Sequence, residues 1–233
     1  MSNGNGFIVI DEERRRALHD ALAETERRLV TLAETLDTDS KSWRHVKRIG
    51  DVNIYKYLNA PPTGSPSLSV MMSETTITAS PEQIMQYITS DFFAYLKAID
   101  EMLIQAVYLY PPPAATSGLR LFRSEYALPW PCTNRDFVIA QRCRTDVRGA
   151  REYYTSTATS FEHPDVREVS KFVRGHVNGT QTMWWPVDES RSTCQVRNIF
   201  HVDPKGDLPT VIVNQSSVSQ GANLERFAKI FSK

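Results

Sequence analysis

The sequence predicts an α+β domain: a curved antiparallel sheet wrapped around a long C-terminal helix, with a further helix at the N-terminus. Three observations carry that expectation. Residues 119–144, LRLFRSEYALPWPCTNRDFVIAQRCR, read as two strands, 119–127 and 136–144, flanking a tight proline-bracketed loop. Apolar residues at helical spacing mark 11–36 and again a segment from about 208 to the end. Strand-like runs fill most of the interval in groups of three and six, and strands grouped this way belong to α+β folds.

Taken in chain order, Asp11 is the expected N-cap of the first helix, and Glu12 and Glu13 suit the positive end of its dipole. Leu18, Leu22, Leu29, Leu32 and Leu36 form one stripe and the other face is charged. That stripe is expected to dock on the domain's own sheet, a coiled-coil partner being the alternative. Residues 43–49 and 53–58 read as strands joined at Gly50-Asp51, 60–66 as a loop and 68–78 as a third strand. Ser80 caps a helix that has Pro81 at its first position and Ile84, Ile88 and Phe92 on one face; 91–100 continues as a second short helix.

Residues 102–110 form the next strand, ended by the prolines at 111–113. After the pair at 119–144, runs at 153–160, 169–187 and 193–202 complete the sheet. Asp203-Pro204-Lys205-Gly206 is a turn, and the closing helix carries Val211, Ile212, Val218, Leu224, Phe227 and Phe231 on its inward side. Gly221 in its middle costs about 1 kcal/mol relative to alanine. It has two readings: close packing of the helix on a strand, or room for a ligand beneath.

The chain of 233 residues fits one large domain with space for a core and an internal cavity. Its 27 basic and 27 acidic residues balance, and no basic run is interleaved with aromatics, so neither nucleic acid nor strong electrostatic attachment to anionic membranes is expected. The start, MSNGNGFIVIDEERRR, does not read as a signal peptide, because its charges follow a very short apolar run. Cys132, Cys143 and Cys194 are odd in number and far apart, giving neither a metal spacing nor a disulfide framework. A reducing, cytoplasmic setting is expected, with no cofactor. A Cys132–His201–Asp203 arrangement could be drawn, but Asp203 belongs to a turn and His201 is expected on the outward face, so no catalysis is expected.

Within the central loop, Pro129-Trp130-Pro131 holds an indole on a short, stiff tip, since proline fixes its own φ and pushes the preceding residue toward extended backbone. The ring either folds back on its own strands, or enters a membrane interface or rims a pocket. On the following strand the odd positions Phe137, Ile139, Gln141 and Cys143 share one side, and Asp136, Arg142 and Arg144 face the other, taken as solvent. Gln141 is then a polar group among apolar neighbours: a satisfied core amide, or one that orients a ligand's polar end. On the last strand Val196, Asn198 and Phe200 alternate with Gln195, Arg197 and His201, which makes Asn198 a second such group.

LPWPCTNRDFV resembles the strand–loop–strand signature of START domains, the steroidogenic-acute-regulatory-protein-related lipid-transfer family, and is nearest the phosphatidylcholine-transfer-protein branch. Residues 171–206, KFVRGHVNGTQTMWWPVDESRSTCQVRNIFHVDPKG, and the following Asp207-Leu208-Pro209 resemble the family's two long final strands, its turn and the start of its lid helix. The resemblance runs roughly from Trp43 to the end. It implies the helix-grip fold, with 41–233 as the lipid-binding domain and 1–40 as a helical leader packed on it. It implies no enzymatic activity, and a lipid or sterol-like ligand held in an internal cavity and exchanged in transient contact with a membrane surface.

It also places Phe122, Ser124 and Tyr126 inward, with Arg123 and Glu125 as a solvated pair outside. With Phe137, Ile139, Gln141, Met183, Val196, Asn198, Phe200 and Val218 these form the expected lining. Asp100 matches the branch's head-group aspartate, the branch's basic position falls on Leu96, and its aromatic cage positions fall on Ser124 and Phe137. The ligand is therefore open among sterol, fatty-acyl lipid, phospholipid and other apolar molecules. Trp130, Gly206, Leu208 and Pro209 are the expected gate. The alternative function is an interaction module with a filled cavity and a partner-binding N-terminal helix; an enzyme of the related cyclase type is third.

Overall fold

The computed structural model describes residues 6–61, 63, 68–113, 118–208 and 210–232, and of 210–218 the backbone alone. Helix α1 (Glu12–Thr38) opens the chain, and the Asp11 carboxylate accepts from the Arg14 amide at its N-terminus. Three strands follow, β1 (Trp43–Ile49), β2 (Val52–Tyr57) and β3 (Met71–Ile77), then α2 (Pro81–Ser90) and α3 (Phe92–Ile99). Ser80 and Gln83 close a capping box on α2, satisfying two otherwise unpaired amides, and Asp91 caps α3. Next come β4 (Leu103–Tyr108), β5 (Arg120–Tyr126), β6 (Arg135–Arg148), β7 (Arg151–Ser160), the short β8 (Val173–Arg174), β9 (His176–Pro186) and β10 (Cys194–Asp203). Helix α4 (Thr210–Ile230) ends the chain.

Among the described residues the ten strands form one sheet, in the order β1-β2-β3-β10-β9-β7-β6-β5-β4, antiparallel throughout except that β8 runs parallel beside β6. The expected single strand over 169–187 is thus two, because Gly175 separates β8 from β9. A Cβ at Gly175 would lie 2.3 Å from the Phe137 ring, so only glycine lets the chain cross there. The third strand starts at Met71 rather than 68, and β6 runs four residues past Arg144.

The concave face packs Ile54, Phe122, Tyr154, Trp184 and Phe200 against α2, α3 and α4. The rings of Tyr87, Tyr95, Phe227 and Phe231 interlock at centroid distances of 5.5–6.3 Å and clamp the C-terminal half of α4. Of the two readings of Gly221, close packing holds: a Cβ there would sit 2.2 Å from Ile54 Cδ1.

Arg144 is exposed as expected, but most of the convex face is covered, and Asp136 and Arg142 need correcting. Helix α1 lies across this face. Leu18 and Leu22 meet Leu121 and Ala140, while Leu29, Val30 and Ala33 meet Met72, Met183, Trp185 and Ile199. Arg142 is half-buried between His19 and Glu26. Asp136, only 1% exposed, is held by Arg123 at 2.7 Å and by Arg174 at 2.8 and 2.9 Å. Glu125 is buried too, paired with Arg123 at 2.9 Å. Strand parity had the direction of these residues right; the covering by α1 and the β7–β8 connection is long-range and leaves no trace in the strand itself.

Candidate functional site: an interior cavity

Between the concave face and the helices lies a cavity of about 240 Å³. Of the expected lining, Asp100, Phe122, Tyr126, Phe137, Ile139, Gln141, Asn198 and Phe200 border it, and so does Leu208 of the expected gate. Three expected residues do not. Met183 is a correction: it lies on the opposite face, buried among Leu29, Trp185 and Ile199 under α1, because β9 turns Thr182 and Trp184 inward. Val196 is on the concave face but is fully packed in the core, and Ser124 is fully buried without bordering the cavity. The side chains of Val211, Ile212 and Val218, and Pro209, lie outside the described residues.

Gln141 is a satisfied amide. Its Oε1 accepts from Arg120 at 3.3 Å, and its Nε2 donates to Ser156 Oγ at 2.9 Å and Cys143 Sγ at 3.2 Å. Asn198 donates to Thr182 Oγ1 at 3.0 Å. Register then makes a cross-strand row, since Ser156 opposes Thr182, Thr182 opposes Asn198 and Asn198 opposes Ser73. This polar stripe crosses an otherwise apolar floor. The thiol of Cys143 is pushed up by burial, against the hydrogen bond from Gln141.

Asp100 stands at the C-terminus of α3. Burial raises its pKa against the hydrogen bonds it accepts from the Met102 amide at 3.0 Å, Asn223 Nδ2 at 3.0 Å and Gln220 Nε2 at 3.5 Å. These bonds tie α3 to α4 along one wall.

The sequence reading missed several bordering residues: Tyr95, Arg135, Ser156, Thr182, Gln220 and Asn223. Two-residue alternation carried along the strands finds Ser156 and Thr182. The same alternation carried back from Phe137 puts Arg135 on the inward side; its reach across to the 204–205 turn is long-range and leaves no local signal.

Trp130 projects from the β5–β6 loop, 93% exposed, so it does not fold back. Its bond to Pro131 is cis. Gly206 adopts φ 67°, a conformation that favours glycine, and a Cβ there would meet Arg135 Nη2 at 3.4 Å. Cys132 sits on the Trp130 loop, while His201 lies on the face away from the cavity, under α1, so the drawn Cys-His-Asp arrangement does not assemble. Among the described residues there is no cluster of His, Cys, Asp and Glu suited to a metal, and no helix is long and apolar enough to cross a membrane.

An antiparallel sheet gripping a C-terminal helix over a bordered hollow is the architecture of a lipid-transfer fold, and the comparisons give it a family. Residues 105–226, just over half of the chain, match the START domain family model, and the chain belongs to that family. The fold is similar to that of human StAR-related lipid transfer protein 5 at 19% identity, with 92% of this chain and 99% of that one aligned and a TM-score of 0.69. A STAR-related lipid transfer protein from Xanthomonas axonopodis, solved as fragment 25–204, aligns over 82% of this chain and 99% of its own at 18% identity and TM-score 0.62. Human STARD10 aligns over 96% and 83% at 18% identity and TM-score 0.60. Comparison with curated protein sequences finds no match. START domains are in general non-enzymatic lipid-binding and lipid-transfer modules.

Proposed function

We propose that this protein binds a hydrophobic lipid in the cavity and carries it between membranes or presents it in the cytosol, without catalysing a reaction on it. The observation that carries the reading is the hollow itself: a largely apolar space in a close-packed interior, crossed by one row of hydrogen-bonding side chains. Protein interiors close such voids unless something fills them. Burying a ligand's apolar surface supplies most of the affinity, at about 25 cal/mol per Å², and one or two of the polar side chains that border the cavity set its orientation. Trp130 and the turn through Gly206, Leu208 and Pro209 form the gate, which opens at a membrane surface. The N-terminal segment 1–40 serves as a leader packed on 41–233.

The test is native mass spectrometry of protein purified from cells, followed by extraction of whatever rides with it. A co-purifying lipid is expected; a bare mass, with no lipid taken up from vesicles, overturns the reading. An interaction module built on α1 finds less support, because the apolar stripe of that helix is already spent on the convex face.

A further inference from the structure

Arg135 is a buried cation on the cavity border whose hydrogen bonds go to neutral oxygens. It begins β6, opposite Tyr126 and Val173, and is 3% exposed. Nε donates to the Pro204 carbonyl at 2.7 Å, Nη2 to the Lys205 carbonyl at 2.9 Å, and Nη1 to the Thr133 carbonyl. A guanidinium carries five N–H groups, so two remain after these three bonds. Among the described residues no carboxylate lies within ion-pair distance of it. Taking a cation out of water is costly, and carbonyl dipoles offset that only in part; burial accordingly holds the Arg135 pKa below its usual value.

Two other charged groups of the concave face, Asp100 and Arg120, already have partners. Asp100 already accepts from Met102, Asn223 and Gln220, and the cation it senses is Arg226. Arg120, the second buried arginine of the concave face, bonds to Gln141 and does not border the cavity. The cavity end bounded by Leu128, Arg135, Pro204 and Leu208 therefore presents positive charge, while Phe137 and Ile139 beyond it are apolar.

We propose that Arg135 is the head-group site of this cavity and takes the acid group, carboxylate or phosphate monoester, of a single-chain amphiphile. This rests on the lipid-binding reading and narrows its ligand. A charge-assisted, bidentate bond is what a guanidinium makes best with such oxygens. The single chain follows from size, since about 240 Å³ falls below the roughly 300–1,000 Å³ of ordinary small-molecule sites. The same guanidinium fastens Thr133 to the 204–205 carbonyls, so a head group bound there sits directly under the gate.

The delipidated full chain is titrated with dodecanoate, methyl dodecanoate and dodecyl phosphate, and separately exposed to phosphatidylcholine vesicles. The two acids are expected to bind about tenfold or more tighter than the ester. Arg135→Met is expected to bind acid and ester alike, and Arg135→Lys to keep part of the preference. Equal binding of acid and ester by the unaltered protein, or a preference that survives in Arg135→Met, overturns the head-group site and leaves lipid binding standing. Uptake of phosphatidylcholine in preference to either acid overturns it as well. Should Arg135→Met fail to fold, the acid-to-ester ratio of the unaltered protein and Arg135→Lys still decide. No uptake of any of the four ligands points to failure of the lipid-binding reading itself.

Discussion

Gly221 of α4 lies against Ile54 of β2 so closely that a methyl group has no room: its Cβ would stand 2.2 Å from Cδ1 and 2.7 Å from Cγ1 of a side chain with no exposure. The helix gives up a residue of good propensity at that point to bring its backbone down onto the sheet. The clamp made by Phe227 and Phe231, about two and three turns later, depends on that approach.

Gly221→Ala should therefore destabilise the protein although alanine favours a helix by about 1 kcal/mol. Overpacking of this kind costs roughly 1–3 kcal/mol, and the net loss should be read from the midpoint of urea unfolding. Adding Ile54→Val opens space at the same spot, so the double variant should lose less than the two single losses added together. Additive losses would mean that the two residues do not compete for the same volume.

Asp136 is predicted to be the costliest carboxylate to remove. Burial raises its pKa, but the hydrogen bonds from Arg174 and Arg123 outweigh that and hold it below the usual carboxylate range. Asp136→Asn leaves two arginines short of a counter-charge in a covered site, a change that costs roughly 3–5 kcal/mol. Because the folded pKa lies below the unfolded one, the stability Asp136 supplies is present above the unfolded value near 4 and is lost as pH falls through the lower folded value. The melting temperature of the variant should fall by several degrees at pH 7 and converge toward that of the parent in strong acid.

His201 works in the opposite pH window to a paired histidine. It is 1% exposed, its Nε2 has no hydrogen-bond partner among the described residues, and burial together with the Arg28 charge lowers its pKa to about 4. The native state holds the neutral ring, so the unfolded chain binds the proton first. Stability is then complete above about pH 6.5 and declines as pH falls from there to about 4, by about 3 kcal/mol at most. His201→Gln should flatten that decline in a series of unfolding curves between pH 7 and 4. Curves that stay parallel to those of the parent would show that other groups drive the acid response.

Trp130→Ala is expected to slow lipid transfer between vesicles several-fold while leaving the folded stability and the equilibrium occupancy of the cavity close to those of the parent. The ring is 93% exposed and packs against nothing in its own protein, so its removal costs no core contact. Unchanged transfer rates would remove the Trp130 loop from the gate.

Much of this molecule could be read from local chemistry. The Ser80-Pro81 helix start, the Asp11 cap, the turn at Gly50-Asp51 and the inward set Phe137, Ile139, Gln141 and Asn198 all follow from rules that act within a few residues. What determined them is backbone sterics, capping and the two-residue period of a strand. The tertiary structure alone decided which faces are covered and which charges meet. Helix α1 turned the supposed solvent face into a second core and took Met183 with it. Asp136 found Arg174, 38 residues away, and Arg135 reached the carbonyls of Pro204 and Lys205, 69 and 70 residues away. Such contacts depend on the relative placement of whole elements, and burial strengthens a charge or a hydrogen bond only once that placement has excluded water.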